Sequence, residues 1–397
     1  MRRTLVLHNT IRLFFRIIHY PFIKQKQLPI FFIHITLIFK LHFINCIAMQ
    51  HFNYYEKQDV LKLTKIRRFE TKLGERVSCK NPAKSIEETL QNTEISFVVF
   101  GVPEDIGVKA NLGTGGTDTA WQHFLKSFLN IQSNDFMDGN NILLLGHFEF
   151  VDLEQLIEQN ANNYDEKIEA LRHAVNTIDG EVEKLVQLIT QHNKMPIVIG
   201  GGHNNAYGCI KGAAKGWHKG NIIPQPKINC INLDAHADYR PMEGRHSGNA
   251  FRYAEADGFL DKYCVIGLHE NYIQQNVWMD MLNNTSVDYI TYEEIFLYEK
   301  RSFLQSIGHA VNFTNNTLVG IELDLDSISN VLSSAFSPFG FSTNHARQFL
   351  YFAAADTKPA YLHICEGATY LSDGQTDMKT GKLISYLVTD FIKAIAV

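Results

Sequence analysis

The sequence predicts an α/β protein built on a mostly parallel sheet of about eight strands, and three observations predict it. Apolar runs of strand length recur at 95–101, 142–146, 196–200, 228–233, 262–267, 287–291, 318–323 and 360–365. Most are apolar on both faces, as strands buried between two helical layers are. Helical periods separate several of them, which is the pattern of a sheet wound with crossover helices. One doubly wound domain follows. A closed eight-stranded barrel has the same element order and is the competing topology.

The clearest helix spans 166–192, where Ile168, Leu171, Val175, Ile178, Val182, Leu185 and Ile189 fall three or four apart. The last spans about 382–396, with Leu383, Leu387, Phe391 and Ile395 on one face. Residues 49–94 read as an arm without a strong period, and 95–397 as the α/β domain. No internal repeat or Pro-rich linker marks a second domain.

Composition bounds the function. Of 397 residues, 45% are hydrophobic and 20% charged, as in a globular protein with a sizeable core. A net charge of −5 argues against a nucleic-acid partner. That charge is unevenly spread: residues 1–48 hold seven Lys or Arg and no Asp or Glu, leaving the remainder at −12. The longest apolar run there, 28–39, is shorter than the roughly 20 residues a bilayer crossing takes. We expect 1–48 to lie outside the working protein, Met49 being the simplest alternative start; a basic membrane anchor is the other reading. The six cysteines are scattered, with no CxxC pair, which suits a reducing compartment such as the cytoplasm.

Chemistry concentrates just after four predicted strands. Gly200-Gly201-Gly202-His203 follows the third, with glycines that allow a sharp turn and leave His203 at the strand tip. Asp234-Ala235-His236-Ala237-Asp238 follows the fourth. If the backbone stays extended there, its three metal-grade side chains share a face, because strand side chains alternate. Asp324 and Asp326 end the seventh strand, and Glu366 ends the eighth. Singly, each has an ordinary explanation as a cap, a turn or a solvated end. Together, four carboxylates and two imidazoles at strand carboxyl ends are what a pair of divalent ions with a hydroxide between them needs. An oxygen-rich set without thiolate favours Mn²⁺ over Zn²⁺.

His203 in GGGHNN, Asp234, His236 and Asp238 in DAHAD, and Asp324 and Asp326 in ELDLD resemble, in order and separation, the three metal motifs of the arginase (ureohydrolase) superfamily. The stretch 101–111 is similar to that family's first-strand loop, and Glu366 to its late active-site glutamate. The resemblance implies a three-layer α/β/α sandwich, two Mn²⁺ per subunit, a homo-oligomer, and hydrolysis of an amidine or guanidine C–N bond. It implies that His203 and His236 hold one ion each, that Asp234 and Asp324 bridge, and that Asp238 and Asp326 complete the two shells. Asp238 would also carry the proton to the leaving nitrogen, and Glu366 would pair with the cationic head of the substrate.

Departures narrow the expectation. Arginases carry a histidine where this chain has Phe251, at the end of Ser247-Gly248-Asn249-Ala250-Phe251. Formimidoylglutamases resemble this chain in lacking it, in the GGGH form, and in an arginine two residues after the aspartate motif, here Arg240. We therefore expect cleavage of N-formimidoyl-L-glutamate to L-glutamate and formamide, with Arg240 and Asn249 at the substrate and Arg245 and Arg252 as further cations. An arginase or other guanidino-acid hydrolase releasing urea is the alternative, and a catalytically silent metal-binding member the more remote one. Asn204, Glu322 and the Cys-Glu-Gly-Ala setting of Glu366 depart from the usual motifs, and His246 is the nearest histidine to the missing one.

Overall fold

The computed structural model describes residues 49–395; the expectations for 1–48 lie outside these residues. From His51 onward the chain forms one unit around one sheet. Its strands are β1 (Phe52–Tyr54), β2 (Phe97–Gly101), β3 (Ile142–Phe148), β4 (Met195–Ile199), β5 (Ile228–Leu233), β6 (Leu260–Leu268), β7 (Val287–Thr291), β8 (Val319–Asp324) and β9 (Pro359–Cys365). All eight predicted strands are present as β2 to β9.

The sheet order is β1-β3-β2-β4-β9-β8-β5-β6-β7. Every pairing is parallel except that of β1 with β3. The sheet is open, with β1 and β7 at its edges, so the closed barrel is excluded. Within residues 49–94, read as an arm, β1 registers Phe52 against Phe148 and adds a ninth strand. Three residues carry too little periodicity to be read as a strand from sequence.

The long helix runs Tyr164–Gln191, started by the Asn163 side chain accepting from Glu166 N. It packs along the helix Asn205–Lys219, and small residues permit the approach. A Cβ at Gly212 would lie 2.6 Å from Glu183 O, and one at Gly216 1.8 Å from Thr190 Oγ1. Four other helices, Ala120–Phe128, Phe303–Thr314, Thr343–Asp356 and Lys379–Ile395, share a single core with one face of the strands. That face presents Ile197, Ile199, Ile231, Leu233, Ile321, Leu323, Leu362 and Ile364. Alternation then places Cys230, Asn232, Glu322, Tyr361 and His363 on the other face. All are fully buried.

β4, β9, β8 and β5 are neighbours at the middle of the sheet. Between β9 and β5 the sequence order reverses, and open parallel sheets bind their ligands at such a switch, beyond the strand carboxyl ends.

Candidate active site

His203 stands in a tight loop after β4. Gly200 and Gly201 have φ of +93° and +75°. A Cβ at Gly201 would meet Asn205 Nδ2, Val102 O and Glu104 Oε1 within 2.8 Å, so only glycine fits. The loop is clamped by the buried Glu104 carboxylate, which accepts from Gly107 N and Gly202 N at 3.0 Å and Asn205 Nδ2 at 2.7 Å. Asn204, one of the departures from the motif, reaches the same carboxylate at 3.3 Å.

The aspartate motifs share one device. Asp234 Oδ1 accepts from His236 N at 2.7 Å, and Asp324 Oδ1 accepts from Asp326 N at 2.8 Å. Each first aspartate thus folds the chain around its own carboxylate, as Asx turns do. The expected extended backbone through 234–238 does not occur: β5 ends at Leu233, and Asp238 has φ +46°. The side chains converge because the backbone turns there. Glu366, with φ +60°, is also left-handed, and such strain gathers at functional sites.

The six ligand candidates meet in two groups that share Asp234. In the deeper group, His203 Nδ1 lies 3.2 Å from Asp234 Oδ2, 2.8 Å from Asp238 Oδ2 and 3.2 Å from Asp324 Oδ2. In the outer group, His236 Nδ1 lies 3.0 Å from Asp326 Oδ2 and 3.6 Å from Asp234 Oδ1. The His203 side chain is inaccessible, whereas that of His236 is 32% exposed. Asp324, expected as a second bridge, places Oδ2 in the deeper group, while its Oδ1 accepts from Asp326 N of the outer one.

Burial first, and the neighbouring Asp234 charge second, push Asp238 up to about 6. Burial, Asp326 and Asp234 raise Asp324 well above the carboxylate range. Asp234 is also opposed by burial, but the two imidazoles outweigh it and hold its pKa down. Asp326 Oδ1 and both nitrogens of His203 are buried without a hydrogen-bond partner. Lone pairs and negative charge so crowded are the donor set that divalent cations satisfy, and oxygen with imidazole suits Mn²⁺. The residues fit the two ions.

Both groups open onto a cavity of about 300 Å³. Its wall includes Asn111, Tyr272, Gln274, Arg240, Ser247, Ser334 and Glu366. Glu366 Oε1 accepts from His203 N at 2.7 Å, and Ser334 Oγ donates to Oε2. Burial above all pushes Glu366 up to about 8. Arg240 donates to Asn111 Oδ1 at 3.1 Å and to Glu243 Oε1 at 2.6 Å, and its Nε is buried without a partner.

Other expected contacts fall elsewhere. Asn249 is buried inside its own loop: it donates to Gly244 O at 2.8 Å and accepts from Arg245 Nη1 and His246 N. It does not line the cavity, because its amide is spent closing the 241–249 turn. Arg245 is sealed against Asp179 at 2.9 Å and stacked on Tyr207 and Tyr253. Arg252 pairs with Asp280 over the Tyr239 ring. His246 is also internal, accepting from Gly248 N at 3.1 Å. Phe251 meets His203 edge-on at 5.3 Å and stacks on Tyr263 at 4.2 Å, forming an apolar wall behind the ligand.

Sequence reasoning missed Asn111 and Ser334, which reach the cavity from loops after β2 and β8. Asn111 closes the 101–111 stretch noted above but is given no role there, and Ser334 carries no local signal, since a Ser in a loop is ordinary. Glu322 was flagged as a departure, and it lies beneath His203, 3.5 Å from Nε2. Burial opposes its charge, but His363 and His203 outweigh it and hold the carboxyl down at about 2.

Known proteins resemble this chain over most of its length. The arginase family model matches residues 95–389. A formimidoylglutamase of Streptococcus pyogenes serotype M12 (strain MGAS2096) is 26% identical over 242 residues, 59% of this chain and 71% of that protein. The fold resembles that of formimidoylglutamase from Bacillus subtilis, with TM-score 0.62 and 15% identity over 84% of this chain and 94% of that one. It likewise resembles a Trypanosoma cruzi formiminoglutamase solved with Mn²⁺, with TM-score 0.61 and 17% identity over 83% of this chain and 99% of that one. With its three metal motifs brought together at the strand ends, the chain belongs to the arginase family.

Proposed function

We propose that this protein is a manganese-dependent amidine hydrolase that converts N-formimidoyl-L-glutamate and water to L-glutamate and formamide. The observation that carries the reading is the pair of ligand groups sharing Asp234 on the floor of a cavity whose wall holds Arg240. His203, Asp234, Asp238 and Asp324 would hold one Mn²⁺, and Asp234, Asp324, His236 and Asp326 the other. When bound, the ions supply a water acidic enough to attack at neutral pH and a Lewis acid at the reacting carbon.

The protein's own groups do the rest. Glu366, backed by Ser334, faces the cavity and would pair with the amidinium head, the positive charge of that head and of the bound ions offsetting the burial that raises its carboxyl. Asp238, between the deeper group and the cavity, is placed to take the proton of the attacking water. It would return that proton to the glutamate nitrogen as the bond from that nitrogen to the formimidoyl carbon breaks. Water oxygen thus ends in formamide, and the amine of glutamate is released. Arg240, which lines the cavity, would read a substrate carboxylate, while Asn111, Ser247 and Gln274 offer neutral donors. Phe251 leaves no imidazole at the place where arginases have one.

The setting this reading implies is a cytoplasmic homo-oligomer. No helix among the described residues is long and apolar enough to cross a membrane.

The test is to incubate Mn²⁺-loaded protein separately with N-formimidoylglutamate, arginine, agmatine and guanidinobutyrate, assaying formamide and urea. Formamide from the first substrate is expected. Urea from arginine alone would establish the arginase alternative, and bound Mn²⁺ without any turnover the silent one.

A further inference from the structure

The polar row beneath the metal groups is not explained by the reaction. On β8, Glu322 lies two residues before Asp324 and shares its face. Across the strand pair it registers directly with His363 of β9. Its Oε2 accepts from His363 Nδ1 at 2.7 Å, and its Oε1 accepts from Tyr361 Oη at 2.5 Å. Gly320 makes the room: a Cβ there would lie 2.6 Å from the Tyr361 ring and hydroxyl. Glu322 and His363 are wholly buried.

A carboxylate in a strand interior is costly unless its partners are well set. Two of those partners hold Glu322 in place, and the third group it faces is the His203 imidazole. Glu322 Oε2 lies 3.5 Å from His203 Nε2, facing it without a formed hydrogen bond, and its negative charge favours the proton of neutral His203 on Nε2 and the lone pair on Nδ1. Nδ1 is the atom turned toward Asp234, Asp238 and Asp324. His236 differs: its ring lies beside Tyr272 at 5.4 Å, and its carboxylate contacts are to Asp234 and Asp326 of the metal groups themselves.

We propose that Glu322 is a positioning residue for the deeper metal group, fixing the tautomer and orientation of His203 so that one of the two Mn²⁺ is held more tightly than the other. The proposal rests on the two-ion reading above. A carboxylate behind a ligating histidine sets its orientation and basicity, and removing such a partner typically weakens metal binding about 10–100-fold.

The experiment is a Mn²⁺ titration of the full-length protein followed by electron paramagnetic resonance of the free ion, comparing wild type with E322Q. Two binding steps are expected in wild type. E322Q should weaken one step about 10–100-fold and leave the other unchanged. Should E322Q not fold, Tyr361→Phe carries the test, because it frees Oε1 of the same carboxylate; it should weaken the same single step. Unchanged constants in the variant that folds, or equal weakening of both steps, would overturn the proposal. A wild type that binds no Mn²⁺ would overturn the two-ion reading along with it, whereas unchanged variant binding leaves that reading standing.

Discussion

On β8 and β9, residues adjacent in sequence belong to opposite chemistries. Ile321, Leu323, Leu362 and Ile364 join one continuous apolar core with four helices. Glu322, Asp324, Tyr361, His363 and Cys365 point the other way, equally buried, and form a polar row that ends at the ligands. Burial of the first face is what stabilises the sheet. Burial of the second is weak support at best, because desolvation offsets much of what its ion pairs return. Stability and function are thus divided between two faces of the same strands, so each should be breakable without the other.

The largest expected effect is on the polar side. Asp234 belongs to both ligand groups, so Asp234→Ala should lower Mn²⁺ content from two ions to none and cut turnover by about 10³-fold or more. Thermal unfolding of the metal-free protein should change little, which metal analysis beside calorimetry would check. On the apolar side, Leu362→Ala should cost about 2–5 kcal/mol in denaturant unfolding through the cavity it leaves. Its Mn²⁺ content should stay at two per chain, and a loss of metal there would break the division.

A smaller effect is expected at the cavity wall. Arg240→Ala should raise KM for N-formimidoylglutamate by about 10–100-fold, the value of one charge-assisted hydrogen bond, and change kcat less. Steady-state kinetics would separate the two, and a fall in kcat at unchanged KM would move Arg240 out of substrate binding.

The smallest effect concerns the loop that carries Arg240. His246 Nδ1 accepts from Gly248 N, so the folded loop needs the neutral ring. Burial, then the Arg240 charge, lower its pKa to about 4. The unfolded value is about 6.5, so the folded state binds fewer protons. The stabilisation is therefore complete above 6.5 and is lost as pH falls toward 4. By pH 5.5 the loss amounts to about 1.4 kcal/mol. Thermal melts of wild type and His246→Gln should accordingly converge as pH drops from 7.5 to 5.5, and curves that stay parallel would contradict the assignment.

Much of this division was legible in the sequence. The strands β2 to β9 announced themselves because runs apolar on both faces have few other homes, and the six ligands because carboxylates and imidazoles clustered at strand ends are rarely idle. The reason for their convergence was not legible. Asp238 reaches the site through a left-handed backbone, which nothing in Asp-Ala-His-Ala-Asp announces. Asn249 looked exposed to substrate, yet its amide closes its own turn, and only the path of the 241–249 loop decides that. Arg245 and Arg252 were plausible carboxylate readers until Asp179 and Asp280 proved to hold them. Glu322 was visible as an oddity, but its role depends on β9 lying beside β8, a neighbour 41 residues away at His363.

Through Asp234 the two ligand groups should form one centre. Low-temperature electron paramagnetic resonance of the protein loaded with two Mn²⁺ per chain tests it. Ions sharing a carboxylate should give the broad, multi-line spectrum of an exchange-coupled pair. Two isolated six-line Mn²⁺ signals, or saturation at one ion per chain, would contradict it.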